Sequence, residues 1–553
     1  MTRAIGGLAD AGTYTGPMTP YYITTPIYYV NDRPHIGHCF TTLVADALAR
    51  YERLSRGGED VFFLTGTDEH ADKVVSSAAA HGMTPLQWAD HNAGQFEAAF
   101  AYIGSTHGDF IRTTQPRHTS KVLEYIGRLQ DKGDVYLGDY TGWWDPSQEE
   151  YLTESVAKDS PHGPYTSPVT GKPLEKRTEK NYFFRLSAYQ DRLRAHIESD
   201  RGFIRPESRR NEVLGRLREG LSDIPISRAV TSDPTTQWGI RMPRDPSHRI
   251  YVWIDALFNY LSVVDTAERR RFWPASVHVM AKDILWFHAV IWPSLLMALG
   301  EPLPRSVYVH SYWVREGKKM SKSLGNFVDL ELLKGYSGRY GLDAVRWYLL
   351  TQGPLGSTDA DFSYAKFVET YNAELANGIG NCASRVGNMI DKYFGGRVPP
   401  RGVAGEGGFD AAGFAAGVLS RVQESLGNLE LRDALFAGIE VVRRVDGFIN
   451  ETAPFKIAKT IDADPSAKAR LGEILYVCAE LVRIASVLLS PAMPGKMATL
   501  WESWGCAPKE GAGLAEVCTF GGASSLSPGA PIRKGDPLFM RADAAEAEPV
   551  PAH

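Results

Sequence analysis

Tyr21-Tyr22-Ile23-Thr24-Thr25-Pro26-Ile27-Tyr28-Tyr29-Val30-Asn31-Asp32-Arg33-Pro34-His35-Ile36-Gly37-His38 is the stretch from which the fold is read. Tyr21 to Val30 is dense in Tyr, Ile and Val, the composition of a buried strand. Asn31, Asp32, Arg33 and Pro34 then turn the chain. From His35 a helix is predicted, because Phe40, Leu43, Val44, Ala47, Leu48, Tyr51 and Leu54 recur at helical spacing. After Gly57 and Gly58, Val61 to Leu64 is a second apolar run. Strand, helix and strand in this order form a βαβ unit, and hence a parallel sheet.

Outward from this unit the chain changes character several times. Residues 1–20, rich in Gly and Thr, read as a flexible leader. Residues 114–240 read as an inserted module of short strands, turn-rich from Asp145 to Pro173. Buried-strand patterns resume at Ile250 to Ile254, Val277 to Met280 and Ser306 to Ser311. From Tyr364 to Trp504, Leu, Val and Ala follow the 3.6-residue period of helices. The last forty or so residues, rich in Gly, Ala and Pro, read as a partly extended tail. No internal repeat is visible.

The length, 553 residues, exceeds one ordinary domain, and 43% apolar with 23% charged residues suits a globular protein with an ample core. Formal net charge is −5, so contact with a nucleic acid would rely on local basic surfaces. The five cysteines (Cys39, Cys382, Cys478, Cys506 and Cys518) are scattered without a C-x-x-C pair, which predicts neither disulfides nor a zinc ribbon and points to a reducing cytoplasm. No apolar run reaches the roughly 18 residues that span a bilayer, and no signal or transit peptide is predicted.

Two short stretches carry chemistry. His35-Ile36-Gly37-His38 sits where a strand passes into a helix, whose N-terminal amides and dipole suit a polyphosphate. Gly37 lets a nucleotide approach the backbone, and two imidazoles a turn apart can hydrogen-bond phosphate oxygens. By itself the tetrapeptide is equally a helix start that happens to hold two histidines. Lys319-Met320-Ser321-Lys322-Ser323 lies between Gly317 and Gly325, and cations on such a loop can close over a triphosphate. By itself it is an ordinary solvated basic loop. Both together, in this order after these elements, are far more specific. Other ATP signatures are missing: there is no G-x-x-x-x-G-K-[ST] loop and no kinase set. Gly378-Ile379-Gly380 ends in Ala383, where a dinucleotide fingerprint needs Gly.

The pair of signatures resembles that of the class I aminoacyl-tRNA synthetases. Thr24-Thr25-Pro26-Ile27-Tyr28-Tyr29-Val30-Asn31-Asp32, Gly66-Thr67-Asp68-Glu69-His70, Tyr251-Val252-Trp253-Ile254-Asp255-Ala256 and Lys282-Asp283-Ile284 with His288 resemble, in order, the methionyl-tRNA synthetase family. The resemblance covers residues 20–540 or so. It implies an α/β Rossmann-like catalytic domain with a parallel sheet, an inserted connective module and a C-terminal all-α anticodon-binding bundle. The expected divisions are a catalytic first half at 21–113, the module at 114–240, the catalytic second half at 241–325, a stem-contact linker at 326–368, the anticodon-binding helices at 369–510 and an extension at 511–553.

The activity implied is ATP-dependent activation of L-methionine and its transfer to tRNA(Met), initiator included. By resemblance, His35, His38, Lys319 and Lys322 are catalytic, while Gly37, Lys282, His310, Met320, Ser321 and Ser323 bind ATP. Ile27, Tyr29, Asp68, Trp253, Ala256, Tyr260, Ile284 and His288 would bind methionine, with Asp68 on the ammonium. An apolar, aromatic site suits a thioether, whose ring contacts are worth about 0.3–1.5 kcal/mol each. Mg²⁺ is expected with ATP. Asn381 and Arg385, four apart on one helix face, and Phe455, where the family commonly has Trp, would meet the anticodon. Without the resemblance, Phe455 would read as a residue of the bundle core.

There are departures. Ser311 and Leu257 stand where the family usually has Gly and Pro. The stretch from Gly142 to Lys180 holds no Cys, so the zinc knuckle of many relatives is not expected. No dimerising oligonucleotide-binding domain follows Asp536-Pro537-Leu538-Phe539, so a monomer is expected. Two alternatives stay open. A class I synthetase for another apolar amino acid is opposed by the missing editing insertion and by Trp253. A tRNA-binding paralogue without catalysis is opposed by His35, His38, Lys319 and Lys322.

Overall fold

The structure, a computed structural model of the chain, describes residues 19–148, 150–152, 154–320, 326–401, 409–543 and 545–550. Its central sheet has six strands: β1 (Tyr21–Tyr29), β2 (Val61–Asp68), β3 (Asp109–Arg112), β4 (Ile204–Arg205), β5 (Val277–Ala281) and β6 (Val307–His310). Their order is β3-β2-β1-β5-β6-β4, and every neighbouring pair is parallel. The chain leaves β1 toward one edge and β5 toward the other, so the crevice between them is the switch point where open α/β sheets bind ligands. β4 comes from the stretch read as an insertion, pairing Ile204 with Val307 at the sheet edge.

Pro26 lies inside β1, a central strand, where it cannot donate a ladder hydrogen bond. The register accommodates it by a bulge: Thr24 faces Leu64, whereas Ile27 already faces Gly66. The Thr25 hydroxyl donates to Thr65 across the interruption at 2.7 Å. Past the bulge, β1 delivers Ile27 and Tyr29 to the end of the sheet. Helix α1 (Ile36–Arg56) follows and buries Phe40, Leu43, Val44, Ala47, Leu48 and Tyr51 against the sheet and the helical region.

The apolar run at Ile250 to Ile254 is not a strand. The strand Asp245–Ile250 ends there, and Val252–Leu257 is a short helix. A five-residue apolar run has no resolvable period, so tertiary contacts decide its conformation. The module's long hairpin pairs Val135–Asp145 with Glu175–Phe184, and its helix Pro116–Asp131 shares the core beneath the sheet.

Beyond α2 (Leu342–Gln352), the helices α3 (Asn381–Phe394), α4 (Ala411–Gly427), α5 (Leu431–Thr452) and α6 (Pro465–Leu489) build the C-terminal bundle. One continuous core joins them to α1. The tail is irregular in backbone but not loose: Leu526, Ile532, Leu538 and Phe539 are buried in that core, which an apolar side chain every few residues makes favourable.

Candidate active site

A cleft of about 670 Å³ opens at the carboxyl ends of β1, β2, β5 and β6. His35 caps α1 there. The Gly37 N–H donates to His35 Nδ1 at 3.0 Å, and the His35 N–H donates to His38 Nδ1 at 3.3 Å. Both Nδ1 atoms accept, so each neutral ring carries its proton on Nε2, the tautomer that can donate to an anionic oxygen. The rings lie 3.8 Å apart between centroids. Burial, and then the neighbouring His35, hold His38 well below the usual imidazole range.

All eight residues expected around the amino acid line this one cleft: Ile27, Tyr29, Asp68, Trp253, Ala256, Tyr260, Ile284 and His288. Tyr29 and Trp253 pack edge to face with centroids 5.5 Å apart, and Phe287 stacks on Trp253 at 4.2 Å. His288 Nδ1 donates to the Ile284 carbonyl at 2.9 Å. Its Nε2 therefore accepts from the Tyr260 hydroxyl at 2.8 Å. Burial pushes the His288 pKa down to about 4, so the ring is neutral at pH 7, with both nitrogens hydrogen-bonded. Asp68, at the end of β2, is the buried acid of this wall.

The expected ATP residues divide. Gly37 and His310 line the cleft. His310 Nδ1 donates to the Ser311 carbonyl at 2.8 Å, and burial lowers its pKa to about 4. Lys282 is outside the lining: its ammonium pairs with Asp359 at 2.7 Å and lies over the Tyr312 ring. Lys319 is exposed on the strand Lys318–Lys319, which hairpins against Trp313–Arg315, and Met320 packs on the core. Ser321, Lys322 and Ser323 lie outside the described residues. Ser311 and Leu257, the two departures, both line the cleft, and the Ser311 hydroxyl accepts from Arg209 at 3.2 Å.

Sequence reading missed Asp283, Tyr312 and Phe327, which also line the cleft. Asp283 stands between Lys282 and Ile284, both singled out, and its burial raises its carboxyl pKa. Phe327 presents an edge to His35 at 5.2 Å. No sequence signal marked it, because the contact spans almost three hundred residues of chain. In the bundle, Asn381 is exposed, and Arg385 pairs with Asp446 of α5 at 2.8 Å. Phe455 is 47% exposed, not a core residue; left-handed Ala453 separates α5 from its short helix Pro454–Ile457, of which Pro454 is the buried residue. Among the described residues no group of three or more His, Cys, Asp or Glu could hold a metal, and no helix is long and apolar enough to cross a membrane.

A parallel sheet with this switch-point cleft and a histidine-capped helix defines a class, and the chain is similar to its members throughout. The family described as tRNA synthetases class I (M) matches residues 21–387, so the chain belongs to the class I aminoacyl-tRNA synthetases. The particular family follows from its relatives. The methionine–tRNA ligase of Streptomyces coelicolor is 41% identical over 546 residues, covering 97% of this chain and 99% of the relative. That of Mesorhizobium japonicum is 42% identical over 484 residues, covering 87% and 90%. The Mycobacterium tuberculosis methionyl-tRNA synthetase in complex with methionyl-adenylate superposes with a TM-score of 0.85 at 37% identity, covering 95% of this chain and all of that one. The chain is a member of the methionyl-tRNA synthetase family, a family of ATP-using ligases.

Proposed function

We propose that this chain activates L-methionine with MgATP and transfers it to tRNA(Met), initiator tRNA included. The observation that carries this reading is one cleft in which a neutral, aromatic-lined pocket with a buried acid adjoins a histidine-capped helix N-terminus. Asp68 would hold the substrate ammonium, and the Tyr29, Trp253, Tyr260 and His288 walls would take the thioether. The methionine carboxylate attacks the α-phosphorus in line, forming the acyl-phosphate bond as the bond to pyrophosphate breaks. His35 and His38 donate Nε2–H bonds to phosphate oxygens, aided by the α1 dipole. Lys319 and Lys322 close over the triphosphate as charge develops. A hydroxyl of the tRNA 3′-terminal ribose then attacks the carbonyl, and AMP leaves. No covalent side-chain intermediate is needed, because positioning and charge stabilisation act on the two substrates directly.

The same reading makes residues 369–510 the anticodon-binding part, with Asn381, Arg385 and Phe455 at its surface, and residues 326–368 the stem contact. It makes the module at 114–240 a zinc-free connective insertion in a cytoplasmic, monomeric enzyme. Pyrophosphate exchange into ATP with each of the twenty amino acids tests the assignment: methionine should dominate, and comparable exchange with leucine or valine would overturn it. Lys322→Ala should slow single-turnover activation by roughly 100- to 1,000-fold, the loss typical of one oxyanion donor. Its methionine affinity should hold. Collapse of methionine binding with a normal activation rate would remove Lys322 from that role.

A further inference from the structure

Asp255 is 1% exposed, yet it is a carboxylate in the middle of the short helix Val252–Leu257. Two histidines meet it. His70 Nδ1 lies 2.6 Å from Oδ2, and His118 Nε2 lies 2.8 Å from Oδ1. His118 Nδ1 is in turn 2.9 Å from the Ser262 hydroxyl. Burial alone would raise the Asp255 pKa, but His70 and the bonds from both rings bring it below the usual carboxylate value. A charged, twice-bonded carboxylate at this depth is expensive to build and is strongly tied to its partners.

The bond joins two walls of the cleft that come from distant parts of the chain. His70 stands two residues beyond Asp68, on a segment that is itself clamped. Glu69 accepts from Arg112 at 2.6 Å and from Thr67 at 2.8 Å, while Trp238 Nε1 donates to the Glu69 carbonyl at 2.6 Å. Asp255 stands between Trp253 and Ala256, both in the lining. Its six-residue helix has no side-chain cap; Ile254 and Leu257 anchor it in the core below and Val252 packs with Ala71, while the Asp255–His70 bond adds the directional tie to the Asp68 segment. We infer that Asp255 is a positioning residue for amino-acid binding: through His70 it holds the Trp253–Ala256 wall at a set distance from the Asp68 wall.

This rests on methionine being the substrate of the cleft, as proposed above. The test is calorimetric titration of L-methionine into the full chain without ATP, for wild type, Asp255→Asn, His70→Leu and His70→Asn. Melting temperature and the ATP KM in pyrophosphate exchange are measured in parallel. Asp255→Asn and His70→Leu should raise the methionine Kd roughly 10- to 100-fold, the effect of a misplacement of an ångström or less. The ATP KM should stay within about twofold, since the histidine-capped helix does not rest on this bond. His70→Asn, whose Nδ2–H occupies the place of the imidazole Nδ1–H, should recover most of the affinity. Folded Asp255→Asn and His70→Leu variants with wild-type methionine affinity would overturn the inference, as would a lower melting temperature with an unchanged Kd. Should Asp255→Asn fail to fold, the His70 pair decides alone: equal Kd values for Leu and Asn at that position also overturn it. Wild-type protein that binds no methionine would instead sink the substrate assignment.

Discussion

His288 and His310 are two buried rings whose protonation the fold opposes, each lowered from 6.5 to about 4 by burial. Between these values the unfolded chain takes up a proton that the folded chain refuses, so stability is full above pH 6.5 and falls as pH drops toward 4. Each residue can remove up to about 3 kcal/mol over that window. Urea unfolding at pH 7 and pH 5 should show the loss, and His288→Gln should shrink it; equal midpoints at both pH values would contradict the neutral rings. Phe455 yields a second expectation at this scale. It is 47% exposed, so Phe455→Ala should leave the melting temperature nearly unchanged. If it stacks on a base, a loss of ~1–3 kcal/mol lowers charging roughly 5- to 150-fold at subsaturating tRNA. Exchange without tRNA should be untouched, and normal charging by the variant would end the stacking role.

Among the elements, the turn region of the long hairpin that pairs Val135–Asp145 with Glu175–Phe184 is held by side-chain hydrogen bonds. Asp145 Oδ1 accepts from the Ser147 N–H at 2.8 Å and from its hydroxyl at 2.5 Å, and that hydroxyl lies 2.9 Å from Thr170. Glu154 accepts from both Trp143 Nε1 and the Tyr165 hydroxyl, whose rings pack at 4.3 Å. Chelators should therefore leave hydrogen exchange across residues 142–180 unchanged. Asp145→Ala, which removes charge-assisted bonds worth ~1.5–3 kcal/mol each, should speed it. Faster exchange on adding EDTA to wild type would show a metal in the module. The helix α1 was legible because seven apolar residues, from Phe40 to Leu54, keep one period over about four turns. The helix Val252–Leu257 was not, because its run is too short to show a period and Asp255 is satisfied only by His70 and His118.

At the scale of the whole molecule, a buried ion pair ties α1 of the sheet domain to α2, which precedes the bundle helices. Arg346 of α2 meets Asp46 of α1 at 2.7 Å, both almost fully buried. Its other N–H groups donate to the carbonyls of Ile103, Pro491 and Ala492. Asp46→Ala should cost ~3–5 kcal/mol by leaving that guanidinium without a carboxylate, whereas Asp46→Leu with Arg346→Met should cost less. Calorimetry on the two variants separates them; a smaller loss for the single change would refute the coupling. The tail adds a second tie. Asn372 exchanges hydrogen bonds with Ala542, and Glu548 accepts from Arg315 and Tyr336 beside the hairpin that bears Lys319.

The sequence by itself determined the βαβ start, the parallel sheet, the helical C-terminal part and the two signatures, because each is a local pattern of period or turn chemistry. The residues expected around the amino acid came from the resemblance, most of them within its short motifs, and the structure brings them to one cleft. Tertiary structure alone decided the rest. It made Ile204–Arg205 an edge strand of the main sheet, seated the tail, drew Lys282 onto Asp359, and set Phe327 against His35. It also buried Asp255 between two histidines from distant segments. The physical reason is common to all of these. The energy of a strand pairing, an ion pair or a buried carboxylate depends on a partner far along the chain, and local sequence carries no record of who that partner will be.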